Sequence, residues 1–455
     1  MNQDVPKRKA DVRPTKKLFI STLTRDVDIW SAILDLVDNS VDGAKRVAQE
    51  RGEKNDYSGL FIEIKINEKE FSISDNCGGI GLELAENYAF KFGRPAVAEG
   101  VPGSVGYFGV GMKRTLFKIA EEFRVESTTD DSHFVVHVNV DEWQKDEDDW
   151  SFDLDDVEQG VPQPENKIGT KVEAIRIKEE IANELALEAR VNTFRESLRK
   201  VYAQPMSHGL AIKLNGHLVD YLDIDIFESE ELKSSKISHH WEVDEQDLSV
   251  KIVAGVAERD TKRSGWYLFF NGRMVLGPDR SSVTGWGENG LPHYHQQFDR
   301  FRGFVFLECD DAGVLPWNTT KTGVRTDSDI YRKLIQEMNR ATRAVVDFLN
   351  NLRTEEKNKE DGVDEEMPLH NAVESAEKVS VSRLLDSELS QGVVHEKFKA
   401  PPLQKRQKDR PKTRRIVYDV DIDTFEEVYE FSEARSASDL GRITFNYYYE
   451  MEVGG

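Results

Sequence analysis

Cysteine is nearly absent. With only Cys77 and Cys309 in 455 residues, neither a disulfide framework nor a cysteine-built zinc cluster can form within one chain, so packing has to supply stability. Long apolar runs are missing as well. No stretch approaches the roughly 18 apolar residues that a membrane span needs, and the N-terminus is polar with no signal-like apolar core. The expectation is a cytoplasmic protein with no membrane partner; the short basic run at 6–9 is too common a pattern to argue for a nuclear address. Positive charge is in deficit, 61 Lys and Arg against 84 Asp and Glu, for a net charge of −23. That excludes a wholly basic nucleic-acid coat protein. No histidine pair has convincing metal-ligand spacing; His239-His240 and His293-x-His295 are adjacent or strand-spaced. What is present, 38% hydrophobic and 32% charged residues, describes an acidic globular chain long enough for about three domains of roughly 150 residues.

The first 178 residues alternate strands, helices and glycine-rich loops. Residues 60–66 and 71–74 read as a hairpin, with Ile62, Ile64 and Ile66 on one face and Asn67-Glu68 at the turn. Strands are expected at 122–127, 133–140 and 171–177. Between the last two, 141–158 carries ten acidic residues with Trp143 and Trp150, a solvated loop whose rings cover a sheet edge. A second unit opens with a helix over 179–202 and includes the hairpin 265–270 and 274–275 around Asn271-Gly272. It closes with a long helix over 328–352. Residues 353–415 read as a charged flexible linker; its end, 397–415, runs from Lys397 to Arg415 with nine Lys or Arg against one Asp. That stretch is either a basic tether or a contact for a phosphate backbone. Residues 416–455 alternate again and read as a small C-terminal module.

Four stretches carry chemistry. In Asp35-Leu-Val-Asp38-Asn39-Ser-Val-Asp42-Gly, helical rotation of about 100° per residue gathers Asp35, Asp38, Asn39 and Asp42 within an arc of about 100°. Like charges so close need a cation or donors, and oxygen ligands suit Mg²⁺. Next, Asp75-Asn76-Cys77-Gly78-Gly79-Ile80-Gly81 follows a strand. A strand-end carboxylate can accept from an amine, and absent side chains let a flat ring lie close, which suits adenine. Third, Gly103-Ser-Val-Gly106-Tyr107-Phe108-Gly109-Val110-Gly111-Met112-Lys113 precedes an apolar helix. Glycines before a helix N-terminus expose amides to anions, and Lys113 adds a point charge for phosphate. Finally, Gly169-Thr170 opens a strand whose hydroxyl could share the amine with Asp75.

In order and spacing these motifs resemble the GHKL ATPases. The resemblance covers about residues 15–350 and implies a mixed α/β (α+β) two-layer sandwich of the Bergerat ATP-binding type over 15–178, then an α/β transducer-like domain over 179–352. It implies ATP and Mg²⁺ as cofactors, with Asn39 as the metal ligand and Asp75 on the adenine. Gly79 gives ring access, Gly106 to Lys113 cradle the phosphates, and Thr170 supports the base; Asp42 and Ile80 complete the candidate set. Catalysis would fall to Asp35 and to Lys321, which looks like the transducer lysine that reaches the γ-phosphate. Ser40, Asp42, the short lid and Lys321 look most like MORC-type ATPases and their bacterial relatives, with MutL and the ninety-kilodalton heat-shock chaperones more distant. Two departures stand out. Asp35 occupies the position of the usual Glu, and a misplacement of about 1 Å can cost about 10²-fold in rate. Cys77 replaces the first glycine of the adenine motif.

The expected function is an ATP-dependent homodimer acting as a nucleotide-gated clamp on DNA held through 397–415, in genome maintenance or anti-phage defence by extrapolation from the resemblance. Rival readings are a chaperone-like remodelling ATPase and an ATP sensor signalling to an effector protein. No phospho-acceptor helix pair precedes the domain, which argues against a histidine kinase.

Overall fold

The computed structural model describes residues 12–53, 55–92, 104–105, 111–318, 320–360, 367–389, 392–403 and 414–454. The chain divides into two compact units, 1–403 and 404–455. Sixteen strands are described, all in the first unit: β1 Phe61–Ile66, β2 Phe71–Asp75, β3 Ala120–Thr128, β4 Ser132–Asn139, β5 Asp155–Gln159, β6 Gly169–Ile177, β7 Ala211–Leu214, β8 His217–Leu218, β9 Asp225–Glu228, β10 Ser235–Val243, β11 Gln246–Val256, β12 Gly265–Phe270, β13 Arg273–Asp279, β14 Phe301–Cys309, β15 Glu377–Ser380 and β16 Val394–Glu396.

The first sheet has eight strands in the order β5-β4-β3-β6-β2-β1-β7-β8. Its β1–β2 hairpin forms as its alternation demands, with Ile62, Ile64 and Ile66 buried. Asn67 closes the turn by accepting from the amides of Lys69 and Glu70 at 2.8 and 2.9 Å. The helix Ile29–Glu50 starts at Asp28, whose side chain accepts from the amide of Ser31 at 2.9 Å. Its apolar residues Ile33, Val37, Val41 and Ala44 join the core that this sheet shares. Trp143 packs against the core with Phe117 and Phe152, and Trp150 packs with Phe19 and Trp143; Lys16 Nζ lies 3.8 Å over the Trp143 ring.

The second sheet has six strands in the order β13-β12-β14-β11-β10-β16. Asn271 and Gly272 take φ of 46° and 78°, the positive pair that a two-residue hairpin turn requires. Across the parallel β12–β14 pair, Tyr267 stacks on Phe304 and Phe269 on Phe306, at 5.3 and 5.0 Å between centroids. The helix Asp329–Glu360 buries Leu334, Met338, Val345 and Leu349 in this sheet's core.

Several boundaries differ from the sequence reading. The helix expected over 179–202 is two, Glu179–Leu185 and Glu188–Val201. β7 pairs parallel to β1 and β8 extends the same sheet, so residues given to the second unit complete the first sheet. The linker assignment over 353–415 fails across its middle: the long helix continues to Glu360, β15 pairs with β9, and β16 pairs with β10. The acidic composition masked an apolar set, Leu369, Val373, Val381, Leu384 and Leu385, that is buried. Residues 404–413 of the basic stretch lie outside the described residues.

The described residues of the unit over 404–455 hold two helices, Ile422–Phe431 and Ala437–Glu452, rather than alternating strands. Phe425 and Tyr429, four residues apart, stack at 5.5 Å, a helical spacing.

Candidate functional site

The Ile29–Glu50 helix places two carboxylates where the second-sheet region can reach them. Asp38 is fully buried and Asp35 nearly so, whereas Asn39 is exposed. Lys321 Nζ lies 2.8 Å from Asp38 Oδ2 and 3.3 Å from Asp35 Oδ1. Arg273, the first residue of β13, pairs with Asp38, and Arg114 pairs with Asp35. The Tyr202 hydroxyl, with one proton to donate, lies 2.8 Å from Asp38 Oδ1 and 2.9 Å from the Leu34 carbonyl. Burial pushes the Asp38 carboxyl up, but Arg273 and Lys321 outweigh it and hold the group below the usual carboxylate range. Three cations therefore face two carboxylates. Arg114 Nε and Arg273 Nε are buried without a hydrogen-bond partner, so the cluster carries a surplus of positive charge and of donors that suits an anion.

Lys321 sits at φ 54°, in the left-handed region that costs a non-glycine residue about 1–3 kcal/mol. Its amide donates to the Asn318 carbonyl at 3.0 Å. The strained loop aims the lysine at the helix.

Asp75 ends β2, half-buried, in a separate cradle. Its Oδ2 accepts from Ser40 Oγ at 2.6 Å, and its Oδ1 accepts from the amides of Cys77 at 2.9 Å and Thr170 at 3.2 Å. Burial raises its pKa against the pull of these bonds and of Arg46. Three donors leave roughly one of about four acceptor sites for an amine. The Thr170 hydroxyl lies 3.2 Å from Ser127 Oγ, which accepts from the Ile80 amide at 2.7 Å.

Gly79, expected to give ring access, is constrained by its own turn. Its φ is 71°, and a Cβ there would lie 2.1 Å from the Thr128 carbonyl oxygen, so the turn itself requires glycine. Gly169 is constrained likewise by the Asp75 carbonyl at 1.9 Å. Gly111 opens the helix Gly111–Ile119 against Asp35, whose Cβ would stand 3.1 Å from an added methyl.

Asp42 accepts from the Val105 amide through both oxygens, at 2.8 and 2.9 Å. It holds the chain just before the glycine loop. Met112 is buried. Lys113 differs from its expected phosphate role: its Nζ is buried and donates to the Ala89 carbonyl at 2.8 Å, and burial lowers its pKa to about 8. Gly106, Tyr107, Phe108, Gly109 and Val110 lie outside the described residues. Arg114, Ser127, Tyr202 and Arg273 were not among the sequence candidates. Arg114 adjoins the quoted glycine motif and Arg273 adjoins the Asn271-Gly272 turn, the nearest signals the sequence offered.

No curated protein matches the chain. Residues 27–170 match the family model described as histidine kinase-, DNA gyrase B-, and HSP90-like ATPase. That segment contains Asp35, Asn39, Asp75, Gly111 and Thr170, and no helix among the described residues is long and apolar enough to cross a membrane. The family match supports a GHKL-type ATPase domain over residues 27–170, and with it the binding of ATP.

Proposed function

We propose that this protein is an ATP-gated switch with slow turnover, in which Asp35 orients the attacking water and Lys321 senses the terminal phosphate. The observation that carries the reading is Lys321 of the second-sheet region held on Asp35 and Asp38 of the ATPase helix. A γ-phosphate competes for that lysine, and its transfer from carboxylates to phosphate would couple nucleotide state to the region carrying β12–β14. Asn39, exposed beside the buried carboxylates, offers its side-chain oxygen to Mg²⁺, which neutralises phosphate charge when bound. Among the described residues no group of three or more His, Cys, Asp or Glu could hold a metal ion, so the ion would depend on phosphate oxygens for its remaining ligands.

The MORC-type reading rests on Ser40, Asp42 and the Lys321 loop, and ATP-dependent dimerisation belongs to it. DNA is proposed as the partner on the charge of 397–415 alone; deleting 404–413 should flatten the salt dependence of DNA binding. A second reading, a sensor that binds ATP and hardly turns it over, is favoured by one observation: both oxygens of Asp35 already face cations, Arg114 and Lys321. Measuring ATP binding by calorimetry beside phosphate release separates the two. Asp35→Asn should keep binding and stop release. Equal loss of binding and release in that variant overturns the assignment of Asp35.

A further inference from the structure

The pairing inside the buried charge cluster is uneven. Asp38 Oδ1 takes Arg273 and the Tyr202 hydroxyl, while Asp38 Oδ2 takes Lys321. Asp35 Oδ2 takes Arg114, and its Oδ1 lies 3.3 Å from the same Lys321. Each carboxylate thus has an arginine of its own and shares the lysine. Withdrawing Lys321 leaves two balanced pairs. Withdrawing Arg273 instead leaves Lys321 as the sole cation on Asp38. The lysine is the charge that the cluster can spare, provided both arginines stay.

Depth makes that distinction count. The side chains of Asp38, Arg273 and Lys321 are 0%, 2% and 6% exposed, so none of these charges can turn to water. Removing one partner of a buried pair strands the other, which is strongly unfavourable. Tyr202 offers Asp38 a hydrogen bond and not a countercharge. Arg273 bonds Asp38 through Nη1, and its Nε is buried without a partner. The contact therefore uses the guanidinium as a point charge rather than as a two-pronged fork.

We propose, resting on the phosphate role given to Lys321 above, that Arg273 is the positioning residue that frees this lysine: it keeps Asp38 neutralised while Lys321 leaves the carboxylates for the terminal phosphate. Arg273 itself touches no reacting atom. With a neutral residue in its place, Lys321 is trapped on a buried carboxylate and stays there when ATP is bound.

Phosphate release at saturating ATP, measured on the full chain beside ATP affinity by calorimetry, tests this. Arg273→Gln should slow release about tenfold or more with little change in ATP affinity. Arg273→Lys keeps the charge and should hold release within about threefold of the unaltered protein. Adding Asp38→Asn to Arg273→Gln removes the carboxylate that traps the lysine, so the double variant should regain about fivefold or more over Arg273→Gln. A merely structural role for Arg273 predicts no such regain. Arg273→Gln at the unaltered rate, Arg273→Lys as slow as Arg273→Gln, or a double variant no faster than the single one overturns the proposal. Where Arg273→Gln does not fold, the double variant, which leaves neither charge of that pair behind, decides: release near the unaltered rate supports the proposal, and release as slow as in Lys321→Ala overturns it. Lys321→Ala also separates the two levels. If it turns over normally, the phosphate role of the lysine falls and this inference falls with it; if it is slow while Arg273→Gln is not, this inference alone falls.

Discussion

Lys321 Nζ lies 2.8 Å from Asp38 Oδ2, so a lysine on a strained loop after β14 closes onto a carboxylate in the middle of the Ile29–Glu50 helix. If that lysine serves the terminal phosphate, Lys321→Ala should slow hydrolysis about 10²-fold while ATP affinity changes little. Single-turnover phosphate release checks this, and a wild-type rate would remove the lysine from the reaction.

Asp75→Asn preserves size but removes the charge that an amine would meet. Loss of a charged hydrogen bond is worth about 1.5–3 kcal/mol, so calorimetry should show ATP binding weakened by about tenfold to a hundredfold. The Ser40 and Thr170 contacts make large structural loss an unexpected result.

Asp38→Asn leaves Arg273 and Lys321 buried beside a neutral amide, and breaking such a pair costs about 3–5 kcal/mol. Denaturant unfolding should show this at neutral pH. Because the folded carboxyl titrates below its unfolded value of 3.8, the wild-type advantage holds above that pH and fades as pH falls through the folded value.

Lys113 gives the opposite sign. Its folded pKa of about 8 lies below the unfolded 10.5, so between those values the unfolded chain binds more protons and stability rises with pH. Full deprotonation is worth about 3 kcal/mol. The Lys113→Met protein should lack this rise, visible as a difference between the two unfolding curves from pH 8 to 10.5.

Gly79→Ala sets a methyl 2.1 Å from the Thr128 carbonyl at φ 71°. The backbone has to shift, at a cost of about 1–3 kcal/mol, and both melting temperature and ATP affinity should fall. Gly81→Ala, with nothing within 4 Å of the added methyl, is the control.

Local signals were the legible ones. Alternation set out β1 and β2, the Asn271-Gly272 pair marked its hairpin, and rotation along one helix brought Asp35 and Asp38 to a common face. What the sequence hid arrives from far along the chain. Arg273 and Tyr202 reach Asp38 only after two sheets have assembled, and Ser127 meets Thr170 through strand register. Lys113 was read as a phosphate ligand from its place after glycines; its rotamer takes it to Ala89 instead. Acidic composition concealed the buried leucines and valines of 368–389 because charge averages over a window while burial depends on spacing.

The pairing of β7 with β1 has a practical consequence. A fragment trimmed at residue 170, where the family match ends, loses almost all of β6 from between β3 and β2 and strips β1 of its outer neighbour. Raw strand rims of that kind recruit other chains and precipitate. The shortest version of the nucleotide domain worth purifying alone extends through His217–Leu218.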